Sequence, residues 1–373
     1  MARAMTVDET IKYENDFCNV TEWHANGITG KGVNVWNCED KSNHGQTSAR
    51  RIRDAAPNAN IYWGSINAIQ NQGKVLEVNI TDSNDVKYSP EEWIQTYNIK
   101  VASRSMARAF AGKDEGEWRE LWEGLWKKYR LVICDSAGNE ADKERNKPEG
   151  YDIAITVGAV YDNLKPTSYT SVTDDVDFAD FTGVWSGTSF SCPYLAGKAA
   201  LLIERYGDMS QTEIFNYFKM CAKDLSVEGE DNRTGWGIVV LPKFNKKYIT
   251  MTTKSNTYYI DGKAYEMDTK PVNKNGNVLV PLRVISEALG ATVDWQFNPD
   301  KTIKVFITKG NTKIELNTMS NAVIINGQVK FLNVEPYIDE NNRTLVPIRF
   351  IAEGLDCMVD WVQKDAKVMI LEK

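Results

Sequence analysis

The sequence predicts two domains: an α/β domain with a mostly parallel sheet and helices on both faces, then a smaller α+β domain of two repeats. Up to residue 243, short apolar strands alternate with helices, and beyond residue 244 a long segment occurs twice. The chain has 373 residues, of which 42% are hydrophobic and 25% are charged, so it is long and apolar enough to bury two cores.

The elements of the first domain follow from hydrophobic periodicity. Trp122, Leu125 and Tyr129 recur at helical spacing and predict one apolar helix face. Ser210 precedes another helical stretch and is a suitable N-cap. The predicted elements are strands at 33–36 and 131–134 and helices at 117–129, about 190–206, and 211–221. This alternation favours a parallel sheet covered on both faces. Residues 241–247 read as a linker, which predicts domains 1–243 and 244–373.

The second domain contains an internal repeat. Residues 279–295 return as 345–361, with ten of 17 positions identical. Each copy follows a hairpin turn and continues through a proline-started helix into a further hairpin. The repeats span about 248–309 and 310–373. One such unit is too small for a good core, so we expect the two copies to pack together.

Composition excludes several classes of protein. The formal charge of −7 argues against a nucleic-acid surface, and no apolar stretch reaches the 18 residues that predict a membrane span. The first residues lack the apolar segment of a signal peptide. The six cysteines form no C-x-x-C pair, which favours free thiols, a cytoplasmic location and no zinc site. We therefore expect no metal and no cofactor.

A serine at the start of a helix is the candidate nucleophile. Ser189 lies in the segment Gly187-Thr188-Ser189, directly before an apolar helical run. A helix N-terminus offers unpaired N–H groups and a positive dipole end, which suit an alkoxide and an oxyanion. A serine nucleophile needs a base, and only His24 and His44 are available. His44 begins a helix with small residues on one face, whereas His24 is expected to be a packing or surface residue.

Three motifs occur in the order typical of one enzyme family. In chain order they are the His-Gly helix start at His44, the Ala-Gly-Asn-Glu turn at Asn139 and the Gly-Thr-Ser segment at Ser189. The Asn139 turn follows an apolar strand. Residues from about 22 to 243 thereby resemble subtilisin-like serine proteases. The resemblance implies that the Asn139 amide and the Ser189 N–H bind the oxyanion. It also implies that Ser103, Arg104 and Ser105 lie on the strand that binds an extended peptide substrate.

The acid of the implied triad departs from the family pattern. Counted along the first strand from Gly30, its position falls on Glu39, whereas a slip of one residue places Asp40 there. A third alternative is that neither carboxylate serves. Only three residues separate Asp40 from His44, and the loop that carries calcium in many subtilisins is missing, so we transfer no calcium site.

The two hypotheses for function come from different classes. The first is a serine endopeptidase that uses Ser189, His44, Glu39 or Asp40, and Asn139. The second is an impaired subtilisin-like pseudoprotease that binds peptides or partners. The repeats resemble the copper amine oxidase N-terminal domain, an accessory module, and we expect the tandem to dock a protein or surface partner. Residues 244–373 contain no histidine and only Cys357, so this resemblance carries no copper site.

Overall fold

The computed structural model describes residues 5–71, 74–105, 115–141, 154–172, 176–226 and 228–373. The chain divides into unit 1, which ends at Phe244, and unit 2, Asn245–Lys373. The helices of unit 1 are α1 Val7–Phe17, α2 Val20–Ala25, α3 Asn43–Ala55, α4 Pro90–Thr96, α5 Glu115–Tyr129, α6 Ser191–Tyr206 and α7 Gln211–Cys221. Its strands are β1 Asn34–Asn37, β2 Asn60–Asn71, β3 Lys74–Asp82, β4 Lys87–Tyr88, β5 Val101–Arg104, β6 Val132–Ser136, β7 Ile155–Val160, β8 Phe178–Phe181, β9 Ala222–Lys223 and β10 Ile238–Val239.

One sheet organises unit 1, in the order β4-β3-β2-β1-β5-β6-β7-β8-β10-β9. The seven central strands of this order, β2-β1-β5-β6-β7-β8-β10, are parallel. At the two edges, β3, β4 and β9 pair antiparallel. The strands alternate with helices, and the sequence-predicted α/β class is confirmed. Ser210 caps α7 by accepting a hydrogen bond from the Glu213 N–H, as the sequence predicts.

The two faces of this sheet have different cores. On one face Trp36 and Ile133 pack with Trp93 of α4 and Trp122 of α5. The other face is covered by α6, which also packs on α3. Because successive strand residues point to opposite faces, a short strand supplies both cores at once. This packing brings the start of α3 and the start of α6 to the sheet edge where β1, β5 and β6 end.

Unit 2 is built from strands that pair across the two repeats. Its strands are β11 Tyr248–Thr252, β12 Thr257–Ile260, β13 Lys263–Glu266, β14 Val272–Lys274, β15 Asn277–Pro281, β16 Thr292–Phe297, β17 Ile303–Lys309, β18 Thr312–Asn317, β19 Ala322–Ile325, β20 Gln328–Phe331, β21 Tyr337–Ile338, β22 Thr344–Pro347, β23 Cys357–Val362 and β24 Lys367–Glu372. The helices α8 Leu282–Ala288 and α9 Ile348–Gly354 each start directly after a proline. The predicted α+β class of this domain is confirmed.

The pairing in unit 2 follows a pseudo-twofold axis. Strand β15 pairs antiparallel with its own repeat equivalent β22, and Val280 faces Val346 at the centre. The two outer sheets have the orders β13-β12-β11-β24-β23 and β16-β17-β18-β19-β20. Each combines the first hairpin of one repeat with the last hairpin of the other. A single apolar core therefore contains residues of both repeats, Ile285 and its equivalent Ile351 among them.

Candidate active site

The candidate base and acid meet where β1 ends and α3 begins. The His44 Nδ1 lies 3.2 Å from the Glu39 Oε1, and the Glu39 side chain is only 6% exposed. Contact with Glu39 raises the pKa of His44, and this effect outweighs the partial burial that lowers it. A carboxylate at Nδ1 stabilises the imidazolium and leaves Nε2 available for a substrate or nucleophile.

The Asp40 carboxylate has a different role in the structure. Asp40 is exposed, and its Oδ1 accepts a hydrogen bond of 2.9 Å from the Ser42 N–H. Hydrogen bonds from Ser42 lower the pKa of Asp40. Ser42 in turn caps α3 by accepting from the Gly45 N–H. The short connection between Asp40 and His44 is thus a capped turn that starts the histidine helix.

Gly45 shows why a glycine follows the histidine. A Cβ at this position would lie 2.1 Å from the Asp40 carbonyl oxygen and 3.0 Å from the Glu39 Cβ. The Gly45 carbonyl oxygen also accepts a hydrogen bond from the buried Asn37 side chain. The α3 backbone can therefore approach the end of β1 closely, and this approach holds His44 against Glu39.

Ser189 lies two residues before the first residue of α6. It is 8% exposed, and its Oγ donates a hydrogen bond of 2.8 Å to the Ser105 carbonyl oxygen. Among the described residues, the acceptor of this hydroxyl is therefore Ser105 and not His44. The ring of Phe190, the next residue, lies 5.2 Å from the His44 ring, centroid to centroid. The residue that follows the nucleophile candidate thus packs directly on the base candidate.

The Asn139 turn faces the Ser189 turn. Asn139 Oδ1 accepts hydrogen bonds from the Thr188 N–H at 2.9 Å and from the Thr188 hydroxyl at 3.2 Å. Thr188 Oγ1 also accepts from the Gly138 N–H. With Oδ1 held in this way, the Nδ2 group of Asn139 is directed away from Thr188 as a donor.

Gly187 lies close to both Asn139 and the Ser189 backbone. A Cβ there would lie 3.6 Å from the Asn139 Nδ2 and 3.9 Å from the Ser189 backbone nitrogen. Gly187 also has a φ of +127°, which favours glycine. The Asn139 Oδ1 would lie at a similar distance of 3.8 Å, so the whole side-chain amide of Asn139 lies near this glycine.

The three residues expected to bind substrate occupy different environments. Ser103 is fully buried, and its carbonyl oxygen accepts from the Cys38 N–H. The Arg104 Nε donates to Asp135 at 2.9 Å, and its guanidinium lies over the Trp122 ring. Strand β5 pairs with β1 as far as Ser103 and with β6 as far as Arg104, so Ser103 lies between two strands and Arg104 has a strand partner on the β6 side. Only Ser105, just beyond the strand, directs its carbonyl oxygen at Ser189.

Several further observations concern the other sequence expectations. His24 Nε2 lies 2.7 Å from the Ala55 carbonyl oxygen, a packing contact far along α3 from His44. All six cysteines are free thiols. No group of three or more metal-ligating side chains is gathered within the described ranges. In that part of the chain, no helix is both long enough and apolar enough to cross a membrane.

Sequence reasoning missed Arg51, a fully buried residue two turns after His44 on α3. The sequence feature that could have indicated this residue is an arginine among the small residues that pack α3 against α6. Its hydrogen bonds reach Phe181 and Phe190, which bracket the Ser189 loop.

Comparison with known proteins supports the resemblance of both units. Residues 11–237 match the subtilase family, and residues 236–299 and 297–370 match the copper amine oxidase N-terminal domain. An extracellular serine protease of Serratia marcescens is 30% identical over 173 residues, which are 44% of this chain and 16% of that protein. Subtilisin DY of Bacillus licheniformis is 27% identical over 206 residues, which are 50% of this chain and 69% of that protein.

Solved structures of proteases are also similar to this chain. MycP1 with its N-terminal propeptide removed has a TM-score of 0.44 and 18% identity, covering 61% of this chain and 94% of its own. A lanthipeptide protease has a TM-score of 0.46 and 15% identity, covering 62% and 93%. Since the subtilase match covers more than half of the residues, this chain belongs to the subtilase family and carries a C-terminal tandem of the copper amine oxidase N-terminal domain.

Proposed function

We propose that unit 1 is a serine endopeptidase in which Ser189 is the nucleophile, His44 the general base and Glu39 the carboxylate that orients it. The observation that carries this proposal is the 3.2 Å contact between the His44 Nδ1 and the Glu39 Oε1. The ring of Phe190, which follows Ser189, packs on the same histidine. Asp40 is left out of the triad because its carboxylate is held by Ser42.

The acylation step requires one rotation. The Ser189 hydroxyl turns from the Ser105 carbonyl oxygen toward His44 Nε2, which removes its proton as Oγ bonds to the peptide carbonyl carbon. Catalytic hydrogen bonds are often incomplete without substrate, so the resting contact with Ser105 is compatible with this step. The released Ser105 carbonyl oxygen can then accept a hydrogen bond from the substrate backbone.

In this proposal the developing oxyanion is bound by the Asn139 Nδ2 and the Ser189 N–H, a role supported by the position of both groups near Gly187. The imidazolium, stabilised by Glu39, next gives its proton to the leaving amine as the C–N bond breaks. Water then attacks the acyl-enzyme, His44 accepts one water proton, and Ser189 regains a proton as the acid product leaves.

The alternative is a pseudoprotease that binds peptides without cleaving them. The resting hydrogen bond from Ser189 to Ser105, in place of one to His44, is the observation that favours it. Under this alternative the hydroxyl stays unactivated even when the cleft is filled, so the two proposals differ in the reactivity of Ser189.

A fluorophosphonate distinguishes these proposals. We expect one stoichiometric adduct on the intact mass of the wild type and none on Ser189→Ala. Ser191→Ala is a matched control, because this buried hydroxyl, two residues away, bonds to the Thr188 carbonyl oxygen. An unlabelled but cooperatively folded wild type would contradict the endopeptidase and favour the pseudoprotease.

For unit 2 we propose that it docks a protein partner. The first partner to test is a protein substrate of unit 1. Support comes from a groove of about 640 Å³ lined by residues of both repeats, Trp295 and Phe297 of repeat 1 and Ile338 of repeat 2 among them. Phe297 is 70% exposed. We expect Phe297→Gln to raise KM for casein while leaving KM for a short peptide unchanged. Equal KM values for casein in both proteins would argue against docking at this groove.

A further inference from the structure

A buried arginine joins the histidine helix to both ends of the loop that carries the nucleophile. Arg51 lies seven residues after His44 on α3, which is two helical turns along the same face. Its Nη2 donates to the Phe181 carbonyl oxygen at 2.9 Å, and its Nε donates to the Phe190 carbonyl oxygen at 3.2 Å. Phe181 is the last residue of β8, and Phe190 follows Ser189 directly. One rigid guanidinium thus spans the loop that contains Ser189.

The charge of Arg51 is balanced by two carboxylates. The Glu14 Oε2 of α1 lies 2.9 Å from Nη2, and the Asp54 Oδ2 lies 2.9 Å from Nη1. The side chains of Arg51 and Glu14 are fully buried. Burial opposes the charge of Arg51, but the carboxylates of Glu14 and Asp54 hold its pKa above the usual value. The guanidinium is therefore a fixed cation, and its five donors keep a planar geometry that a lysine cannot reproduce.

Glu14 holds the same loop a second time. Its Oε1 accepts a hydrogen bond of 2.9 Å from the Gly183 N–H, two residues after β8 ends. The loop is thus bound by Glu14 near its start and by Arg51 at its start and end. The consequence reaches the candidate base, because the Phe190 ring that follows Ser189 packs on the His44 ring.

We infer that Arg51, held by Glu14, is a positioning residue that sets Ser189 relative to His44. This inference rests on the proposed function and deepens it. Neither side chain touches the reacting atoms, and both act through the backbone of residues 181–190. A displacement of the nucleophile by about 1 Å can cost on the order of 100-fold in rate, so a loosened loop should have a large effect on the reaction.

The first test separates the shape of the arginine from its charge. Arg51→Lys keeps a cation between Glu14 and Asp54 but cannot bond to both Phe181 and Phe190. We expect the rate of fluorophosphonate labelling at Ser189, per folded molecule, to fall roughly 10- to 100-fold. The value of kcat for a peptide should fall by a similar factor with KM nearly unchanged, since the loss concerns alignment of the nucleophile.

A second variant guards against loss of folding. Removing Arg51 alone leaves buried carboxylates unpaired, whereas Arg51→Met combined with Glu14→Gln removes the central pair together. Lys198→Met combined with Asp180→Asn is the matched control. Lys198 and Asp180 are also fully buried and lie 2.7 Å apart. Their bond to the loop is the one that Asp180 Oδ1 accepts from the Phe181 N–H, and the amide oxygen of Asp180→Asn can still accept it. The control should lose thermal stability without a change in the labelling rate.

A nuclear magnetic resonance readout does not depend on catalysis. With only two histidines in the chain, the ring protons of His44 are readily assigned. If Arg51 places Phe190, Arg51→Lys shifts the His44 resonances through the altered ring current and leaves those of His24 unchanged.

Wild-type labelling and kcat in Arg51→Lys would overturn the positioning role while the proposed function stands, as would an equal fall in the labelling rate of the Lys198 control. A folded wild type without labelling would overturn both.

Discussion

The two units bury different kinds of side chain. In unit 1, fully buried charges include Glu14, Arg51, Asp180 and Lys198. In unit 2, all of whose residues are described, no charged side chain is buried, and one apolar core is shared by both repeats. Buried ion pairs contribute little net stability, because desolvation offsets their attraction, but each fixes its neighbours in one geometry. Unit 1 thus buries ion pairs within its α/β core, whereas unit 2 relies on apolar packing between its two repeats.

The largest expected effect tests the polar side of this comparison at Glu39. We expect Glu39→Gln to lower kcat by on the order of 10⁴-fold, because the amide no longer stabilises the imidazolium or selects its tautomer. Asp40→Asn is the control, and its kcat for a peptide should stay within about threefold of the wild type, since Asp40 contacts Ser42 instead. Steady-state kinetics measure both. Reversed effects would assign the acid to Asp40, and activity that survives both changes would remove the carboxylate from the proposal.

The next effect concerns the proposed oxyanion donor. Asn139→Ala should lower kcat by roughly 10²- to 10³-fold with a small change in KM, because the amide donor acts on the transition state. Asn139→Asp should be at least as damaging, since it places a negative charge beside the oxyanion while still accepting from the Thr188 N–H. Steady-state kinetics on a peptide measure both variants. A wild-type kcat in Asn139→Ala would show that the turn is only structural.

The apolar side of the comparison is tested in the core of unit 2. Ile285→Ala and Ile351→Ala each remove a fully buried side chain at equivalent positions of the two repeats. We expect each to lower the free energy of unfolding by about 2–5 kcal/mol, and by similar amounts, because the repeats share one core. Denaturant unfolding measures this loss. A large cost at one position and almost none at the other would argue against a symmetric scaffold.

A smaller effect is a shift in the pH profile. Glu39 stabilises the protonated imidazole and raises the pKa of His44, so the base is neutral only above that raised value. The rate constant kcat/KM of the wild type should therefore fall as the pH drops through a value above about 6.5. In Glu39→Gln the residual activity should fall at a lower pH. An acid limb that does not move between the two proteins would show that another group titrates.

The smallest effect is expected at the surface of unit 2. Phe297 is 70% exposed, and the equivalent residue of repeat 2 is Gln363, which accepts a hydrogen bond from Trp361. Phe297→Gln should change the free energy of unfolding by no more than about 0.5 kcal/mol. Calorimetry measures this value. A larger loss would mean that the ring belongs to the core and is not held for a partner.

The sequence by itself determined the two fold classes, the family and the repeat. These features depend on local patterns: alternating strands and helices, a glycine beside each special turn, and a duplicated segment of 17 residues. It also selected Ser189, His44 and Asn139 as candidates, because each lies in a short motif at the end of a predictable element. These three motifs can be recognised from the local sequence alone.

Only the tertiary structure decided how these parts meet. Glu39 and Asp40 are adjacent, and the close approach of Gly45 to the end of β1 decides which carboxylate reaches His44. Ser103 and Arg104 are expected on a substrate-binding strand, but β1 and β6 both pair with that strand at Ser103, and at Arg104 the pairing with β6 continues. The crossed pairing of the repeats and the bonds of Arg51 to Phe181 and Phe190 join residues more than 60 positions apart in sequence. No local pattern records such pairings, since they arise when separate elements bury their faces together.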